Sequence, residues 1–240
     1  MEWTSAAISD RGLVRERNED AFLRLDHGVF AVADGMGGHP AGEVASQIAV
    51  ARVRDAAEES GRPAGWLGEA VRSANRSIRE RAVREPGEEG MGTTLSVLEL
   101  DVSGRASIAH IGDCRVYLWR DDELRRLTRD DTALQEAIES GRVDPAREPG
   151  HPLGSVLTRV LGLDDDVEPH LEDLQAREGD LFLLCSDGIC GVLSDGEIAH
   201  ALREHPEPGE ALAELVEEVN QRGAPDNATA VSVRVVPSTG

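Results

Sequence analysis

Residues 93–127 read TTLSVLELDVSGRASIAHIGDCRVYLWRDDELRRL. Short apolar runs, rich in β-branched and aromatic residues, are cut at Val102-Ser103-Gly104, Gly112-Asp113 and Asp121-Asp122. Each cut is a turn signal. The spacing predicts four strands, Thr93 to Asp101, Arg105 to Ile111, Arg115 to Arg120 and Glu123 to Leu127. A meander of this kind pairs antiparallel neighbours without crossovers, so the fold is not a parallel sheet wound through βαβ units.

Outward from this meander the pattern repeats. Strands are expected at Trp3 to Ser9, Ala21 to Leu25, Gly28 to Ala33, Val167 to Leu174, Asp180 to Cys185 and Thr229 to Val236, with Asp26-His27-Gly28 as a hairpin turn. Helical spacing of apolar residues marks Ala41 to Glu59 and Trp66 to Arg84, then Asp195 to Glu204 and Glu207 to Arg222. A short helix is expected over Thr132 to Gly141. Residues Arg142 to Val156 are rich in Pro and Gly and read as irregular and mobile. Helices come in pairs and about ten strands come in meanders. That census suits an α+β fold of two packed antiparallel sheets with a helix layer on each outer face.

The acidic residues fall where this pattern breaks. Val32-Ala33-Asp34-Gly35, Ile111-Gly112-Asp113 and Cys185-Ser186-Asp187-Gly188 end strand-like runs, and Pro225-Asp226-Asn227 precedes one. A carboxylate at a strand end is held by the sheet and points out of it. Four that converge would make a nest of hard oxygen ligands for divalent cations, the mark of a metal-dependent hydrolase. Each segment also has a plainer reading. Asp34 could cap the helix that follows, and the others could be Asx turns. The loop Arg15-Glu16-Arg17-Asn18-Glu19-Asp20 is either a solvated charged loop or a place where Glu19 and Asp20 hold metal-bound water while an arginine forks onto a phosphate. His39, seen alone, is a surface or capping histidine.

Composition narrows the classes. The chain has 240 residues, 40% hydrophobic and 30% charged, which is enough for one sizeable core and leads us to expect a single domain over 1–240. Its net charge is -21 and all 25 basic residues are arginine. Nucleic acid would be repelled by such a surface, and the apolar runs are far too short to span a membrane. The start, Met1-Glu2-Trp3-Thr4, has neither the basic nor the apolar stretch of an export signal. The three cysteines read as buried, inert, reduced thiols, and Cys185 and Cys190 lack the second ligand pair of a zinc site. A cytoplasmic location and a monomer are expected.

The order of motifs resembles the metal-dependent protein phosphatases of the type 2C class, in particular their single-domain bacterial members. The matching stretches are Arg15-x-x-Asn18-Glu19-Asp20, Asp34-Gly35-Met36-Gly37-Gly38-His39, Gly42-Glu43-Val44-Ala45-Ser46, Gly90-Met91-Gly92-Thr93-Thr94-Leu95 and His110-Ile111-Gly112-Asp113-x-Arg115. They continue through Leu127-Thr128-x-Asp130-Asp131-Thr132, Leu157-Thr158-Arg159-x-Leu161-Gly162, Leu184-Cys185-Ser186-Asp187-Gly188 and Gly223-x-Pro225-Asp226-Asn227-x-Thr229. Any one alone would be weak, but nine in order run from residue 11 to about 235. Cys114 stands where the family usually has Ser, and Ile189 where Leu is usual.

The resemblance implies a four-layer αββα sandwich with a centre for two cations, Mn²⁺ or Mg²⁺, at one end. Asp34 would bridge both ions, Asp187 and Asp226 would complete one site, and the Gly35 carbonyl would serve the other. Glu19 and Asp20 would bind directly or through water, and Asp113 with Asp187 would form a weaker third site. Arg15 would take the substrate phosphate, His39 would be the general acid, and residues from about 131 to 156 would form a mobile flap. The implied activity is hydrolysis of phosphoserine and phosphothreonine on proteins by a two-metal-activated water, with no phosphoenzyme, opposing a serine/threonine kinase. The rivals are another two-metal phosphohydrolase and a non-catalytic phosphatase-like regulatory module. The second of these should have lost a metal carboxylate, and none is missing.

Overall fold

Val29, Ala31 and Ala33 alternate with Phe30 and Val32, and all five are buried. A strand that is apolar on both faces must be covered on both. The computed structural model, which describes residues 1–37, 41–59, 62–144 and 151–237, has that arrangement. Among the described residues the strands are β1 (Glu2–Asp10), β2 (Asp20–Leu25), β3 (Val29–Met36), β4 (Gly92–Thr93), β5 (Leu95–Leu100), β6 (Arg105–Ile111), β7 (Arg115–Arg120), β8 (Glu123–Arg126), β9 (His170–Gln175), β10 (Leu181–Cys185) and β11 (Ala228–Val236). The helices are α1 (Ala41–Glu58), α2 (Trp66–Arg84), α3 (Ala133–Glu139), α4 (Asp187–Cys190), α5 (Asp195–Glu204) and α6 (Pro208–Gln221).

One sheet has the order β1-β11-β10-β7-β8. The other runs β2-β3-β5-β6-β9, with β4 paired to β3. Phe30, Val32, Leu98, Leu100 and Ile108 of the second sheet meet Val116, Leu118, Phe182, Leu184, Val231 and Val233 of the first in a core between the sheets. The intervening residues face outward. Val29, Ala31 and Ala33 pack under Ala45, Ala49, Val53, Val71 and Ile78 of α1 and α2. Leu181, Leu183 and Cys185 pack under Ile198, Leu202, Leu212 and Leu215 of α5 and α6. Each fully buried side chain of this size contributes about 1.5–3 kcal/mol relative to exposure. The expected sandwich of two antiparallel sheets between helix pairs is the observed one.

Some boundaries differ from the sequence reading. The strand expected from Thr93 to Asp101 is broken at Thr94 into β4 and β5, because Thr94 turns to grip residue 34. The strand expected from Val167 begins at His170, and Val167 instead packs into the core beneath α1 and α2. Helix α4 has only 4 residues and was too short for periodicity to find. Ser194 and Glu197 form a reciprocal capping box at the start of α5, and Pro208 opens α6. In the expected flap, Thr132 caps α3 by accepting from the Gln135 amide, and the Ala133 and Leu134 amides donate to the carbonyls of Val156 and Leu153. Residues 145–150 of that segment lie outside the described residues.

Strand register gathers the acids. Asp20 is paired with Asp34 across β2 and β3. Cys185, the last residue of β10, pairs with Ala230 near the start of β11 and with Arg115 at the start of β7. The ends of β3 and β10, the starts of β2 and β11, and the β6–β7 turn therefore share one end of the sandwich.

Candidate metal centre

At that end Asp20, Asp34, Asp113, Asp187 and Asp226 converge. Burial raises Asp34 well above the usual carboxylate range, and the charges of Asp187, Asp20 and Asp113 raise it further. Burial likewise pushes Asp113 up, with Asp187 adding to it. Asp187 is raised by burial and then by Asp226. Asp20 is moved from 3.8 to about 7, chiefly by burial, with Asp187 and Asp226 contributing. Asp187 adds to the rise at Asp34, while Asp34 works in the other direction on Asp187. Like charges crowded in a site of low polarity hold on to protons when nothing else neutralises them.

The aspartates are held by specific bonds. The Asp34 amide donates to Thr94 Oγ1 at 2.9 Å, and its carbonyl accepts from the Thr94 amide at 2.9 Å and from Thr93 Oγ1 at 2.8 Å. Ser186 Oγ donates to Asp20 Oδ2 at 2.7 Å and accepts from the Thr229 amide at 3.0 Å. Asn227 ties the loop before β2 to the start of β11. Its Nδ2 donates to the carbonyls of Arg11 and Arg17, both at 2.8 Å, and its Oδ1 accepts from the Glu19 amide at 2.8 Å. A Cβ at Gly188 would lie 1.8 Å from the Asn227 carbonyl oxygen, so only glycine lets α4 seat against this loop. Asn227, Ser186, Thr93 and Thr94 were quoted in the sequence motifs without a role. Their signal was adjacency to an aspartate.

Asp20 Oδ1 and Asp187 Oδ1 are buried without a hydrogen-bond donor. Buried carboxylate oxygens ordinarily have a partner, and in an all-oxygen cluster the group that fits is a hard divalent cation. Among the described residues no three His, Cys, Asp or Glu side chains close round a single point. The carboxylates converge on a shared region.

The other expected site residues lie around this cluster. Arg15 Nη2 donates to Asp226 Oδ2 at 2.5 Å, with the two side chains 50% and 31% exposed, so the guanidinium stands at the mouth. The Glu19 carboxylate lies against Gly42, in the first turn of α1, where a Cβ would be 2.1 Å from Oε2. Gly35 is packed so closely that a Cβ would lie 2.1 Å from the Gly42 carbonyl oxygen. His39 lies outside the described residues. Cys114 fills the core between the sheets, with its Sγ 3.0 Å from Thr94 Oγ1, so the thiol replaces the usual serine without disturbing the turn. All three cysteines are buried and unpaired by disulfides. Burial pushes the Cys114 thiol well up, and Cys185 together with burial pushes up that of Cys190.

A cleft of about 990 Å³ opens from the cluster. Asp113, Asp187 and Asp226 line it together with Leu134, Ile138 and Leu193. Pro152 and Ser155, from the segment expected to be the flap, also line it.

The family model for protein phosphatase 2C matches residues 14–231. The chain belongs to the protein phosphatase 2C family. Among members of that family, the serine/threonine protein phosphatase PstP of Mycobacterium tuberculosis is 45% identical over 233 residues, which is 96% of this chain and 45% of PstP. The chain thus spans about half the length of that relative. The serine/threonine phosphatase stp of Listeria innocua is 33% identical over 235 residues, covering 94% of this chain and 93% of stp. The crystal structure of M. tuberculosis PstP superposes with a TM-score of 0.93 at 41% identity, covering 99% of this chain and 100% of that one. A second structure is of the PstP catalytic domain in complex with two manganese ions, with a TM-score of 0.88 at 41% identity over 98% of this chain and 99% of that one.

Proposed function

We propose that this chain hydrolyses phosphoserine and phosphothreonine monoesters on proteins, using Mn²⁺ or Mg²⁺ held by the aspartate cluster. The observation that carries the reading is the set of buried, like-charged carboxylates at one sandwich end, two of them with an oxygen that lacks any donor. Relatives named serine/threonine phosphatases, and the two manganese ions in PstP, support it. No regulatory-module loss of a ligand position is present, since all the expected aspartates are in the sequence.

Asp34, Asp187 and Asp226 would hold the two core ions with Asp20, Glu19 and the Gly35 carbonyl nearby, and Asp113 with Asp187 would take a weaker third. When bound, such cations lower the pKa of a coordinated water and offset charge on phosphoryl oxygens. Arg15 stands at the mouth and would exchange part of its bond with Asp226 for a bidentate hold on the substrate phosphate, which orients the ester for in-line attack. Ser186 and Asn227 keep the carboxylates in place through the reaction. The role given to His39, protonation of the leaving alkoxide, comes from the sequence resemblance alone. Cys114, Cys185 and Cys190 are all buried, with Cys190 also lining the cleft; burial holds the Cys114 thiol up, and Cys185 together with burial holds up that of Cys190, so water is taken as the nucleophile, with no phosphoenzyme. The same resemblance would set the enzyme opposite a serine/threonine kinase, and the expected reduced thiols would suit the cytoplasm. None of the described helices is long and apolar enough to cross a membrane.

The reading is tested by stripping the protein with EDTA, then titrating Mn²⁺ or Mg²⁺ against a phosphothreonine peptide, a phosphotyrosine peptide and p-nitrophenyl phosphate. Cation-dependent turnover with preference for phosphothreonine is expected. Full turnover in EDTA, or no turnover with any cation, would overturn it.

A further inference from the structure

Leu13 and Val14 are each 67% exposed, although they are large and apolar. Among the described residues they are the only exposed large hydrophobic pair adjacent in sequence, and the next residue is Arg15. Single exposed apolar side chains are ordinary, whereas contiguous apolar surface beside a site is where partners and ligands bind.

The loop that presents them is stitched to the site. The Leu13 amide donates to the Ala224 carbonyl at 3.0 Å. The Gly12 amide donates to Asp10 Oδ1 at 2.7 Å, and the Arg11 and Arg17 carbonyls are both held by Asn227 Nδ2. Gly12 has φ of +74°, and a Cβ there would lie 2.3 Å from the Asp226 carbonyl oxygen. Gly12 and the Leu13 backbone are therefore held against the Ala224–Asp226 segment, whose Pro225 and Asp226 line the cleft, and Val14 follows directly in the chain. A preorganised apolar surface binds with little ordering cost.

We propose that Leu13 and Val14 form an apolar lip that grips the substrate polypeptide next to its phosphorylated residue, favouring segments with an apolar side chain there. This rests on the phosphatase reading above. The occupant is a substrate chain because the lip is continuous with the phosphate-binding arginine. A phosphate held by Arg15 puts the flanking residues of the peptide within a residue or two of the lip, whereas a small aryl phosphate reaches only the ions and Arg15.

The test compares wild type with Leu13→Ser, Val14→Ser, the double variant, and the conservative pair Leu13→Met and Val14→Ile. Substrates are p-nitrophenyl phosphate and phosphothreonine peptides with apolar or polar flanking residues, in saturating Mn²⁺. We expect the double serine variant to lose on the order of tenfold in kcat/KM on the apolar-flanked peptide, mainly through KM. Turnover of p-nitrophenyl phosphate should stay within about twofold, the polar-flanked peptide should change little, and the conservative pair should restore the loss. Equal losses on all substrates would mean that Arg15 had been disturbed, and would overturn the lip. So would unchanged kinetics on every peptide. A concentration-dependent dimer that the serine variants abolish, with peptide kinetics unchanged, would overturn it in favour of a second copy of the chain. No turnover of any substrate by the wild type would overturn the phosphatase reading, and the lip with it.

Discussion

Asp20→Asn separates the site's cost from its use. In the cation-free protein, burial moves Asp20 from 3.8 to about 7. Its folded pKa thus lies above its unfolded one, so the folded state binds the extra proton between those values and stability falls as pH rises through that window. The full effect, reached at pH 7 and above, is roughly 4 kcal/mol. An asparagine keeps the acceptor for Ser186 Oγ, and so retains the 2.7 Å bond. Its amide NH₂ would occupy the place of Oδ1, which has no partner, at a cost of about 1–3 kcal/mol. The net expectation at pH 8 is a gain of about 1–3 kcal/mol, or roughly 2–12 °C in Tm. Near pH 5 Asp20 is already protonated in the folded state, and the gain should shrink to about zero. The assay is thermal unfolding in EDTA across pH 4.5–8.5. With saturating Mn²⁺ the order should reverse, because only the wild-type site binds the ion fully. A variant that is less stable than wild type at pH 8 in EDTA, or a difference that does not change with pH, would refute the reasoning.

Other expectations follow from the same geometry. His39→Gln should slow a phosphothreonine peptide by a factor on the order of 10² to 10⁴ and affect aryl phosphates less, since phenolate leaves unaided. Stopped assays on both substrates check this, and equal losses would remove His39 from proton donation. Asp113→Ala should leave both core ions bound while lowering turnover and raising the Mn²⁺ concentration for half-activation. An unchanged Mn²⁺ titration would remove Asp113 from any ion site. Phe182→Ala, in the core between the sheets and 0% exposed, should cost about 3–5 kcal/mol in urea unfolding. A loss under 1 kcal/mol would mean that this core is not closely packed.

Strand existence was legible where apolar runs met strong turn residues. Arg105–Ile111 and Arg115–Arg120 are found at the predicted bounds because Gly104 and Gly112, both with positive φ, end the hydrogen-bonded runs in sequence as well as in space. Helix α2 was legible for the same reason, since its apolar stripe of Leu67, Val71, Ala74 and Ile78 is the face it buries. The break at Thr94 was not legible, because a β-branched residue in an apolar run gives no local sign that its hydroxyl will leave the ladder for the Asp34 amide. Helix α4 was hidden by its length. The aspartates could each be named from sequence, yet their convergence could not be read from any single segment. It depends on register, such as the pairing of Asp20 with Asp34, which is a long-range property. The supporting bonds from Ser186 and Asn227 are long-range too, and for that reason went unassigned. The bond between Arg15 and Asp226 spans 211 positions in sequence and falls in the same class.

The converging aspartates are proposed to bind divalent cations on which hydrolysis depends. Equilibrium binding of Mn²⁺ to EDTA-stripped wild type and Asp187→Asn, with phosphothreonine-peptide turnover measured on the same samples, tests this most directly. Asp187 is the choice because its charge raises both Asp34 and Asp113, so its loss relieves the cluster instead of unfolding it. Wild type should bind two Mn²⁺, the number in the PstP catalytic-domain structure, with turnover rising as the ions bind. Asp187→Asn should stay folded, bind fewer ions and lose turnover at every Mn²⁺ concentration. A folded Asp187→Asn protein that matches wild type in both ion binding and turnover would contradict the account.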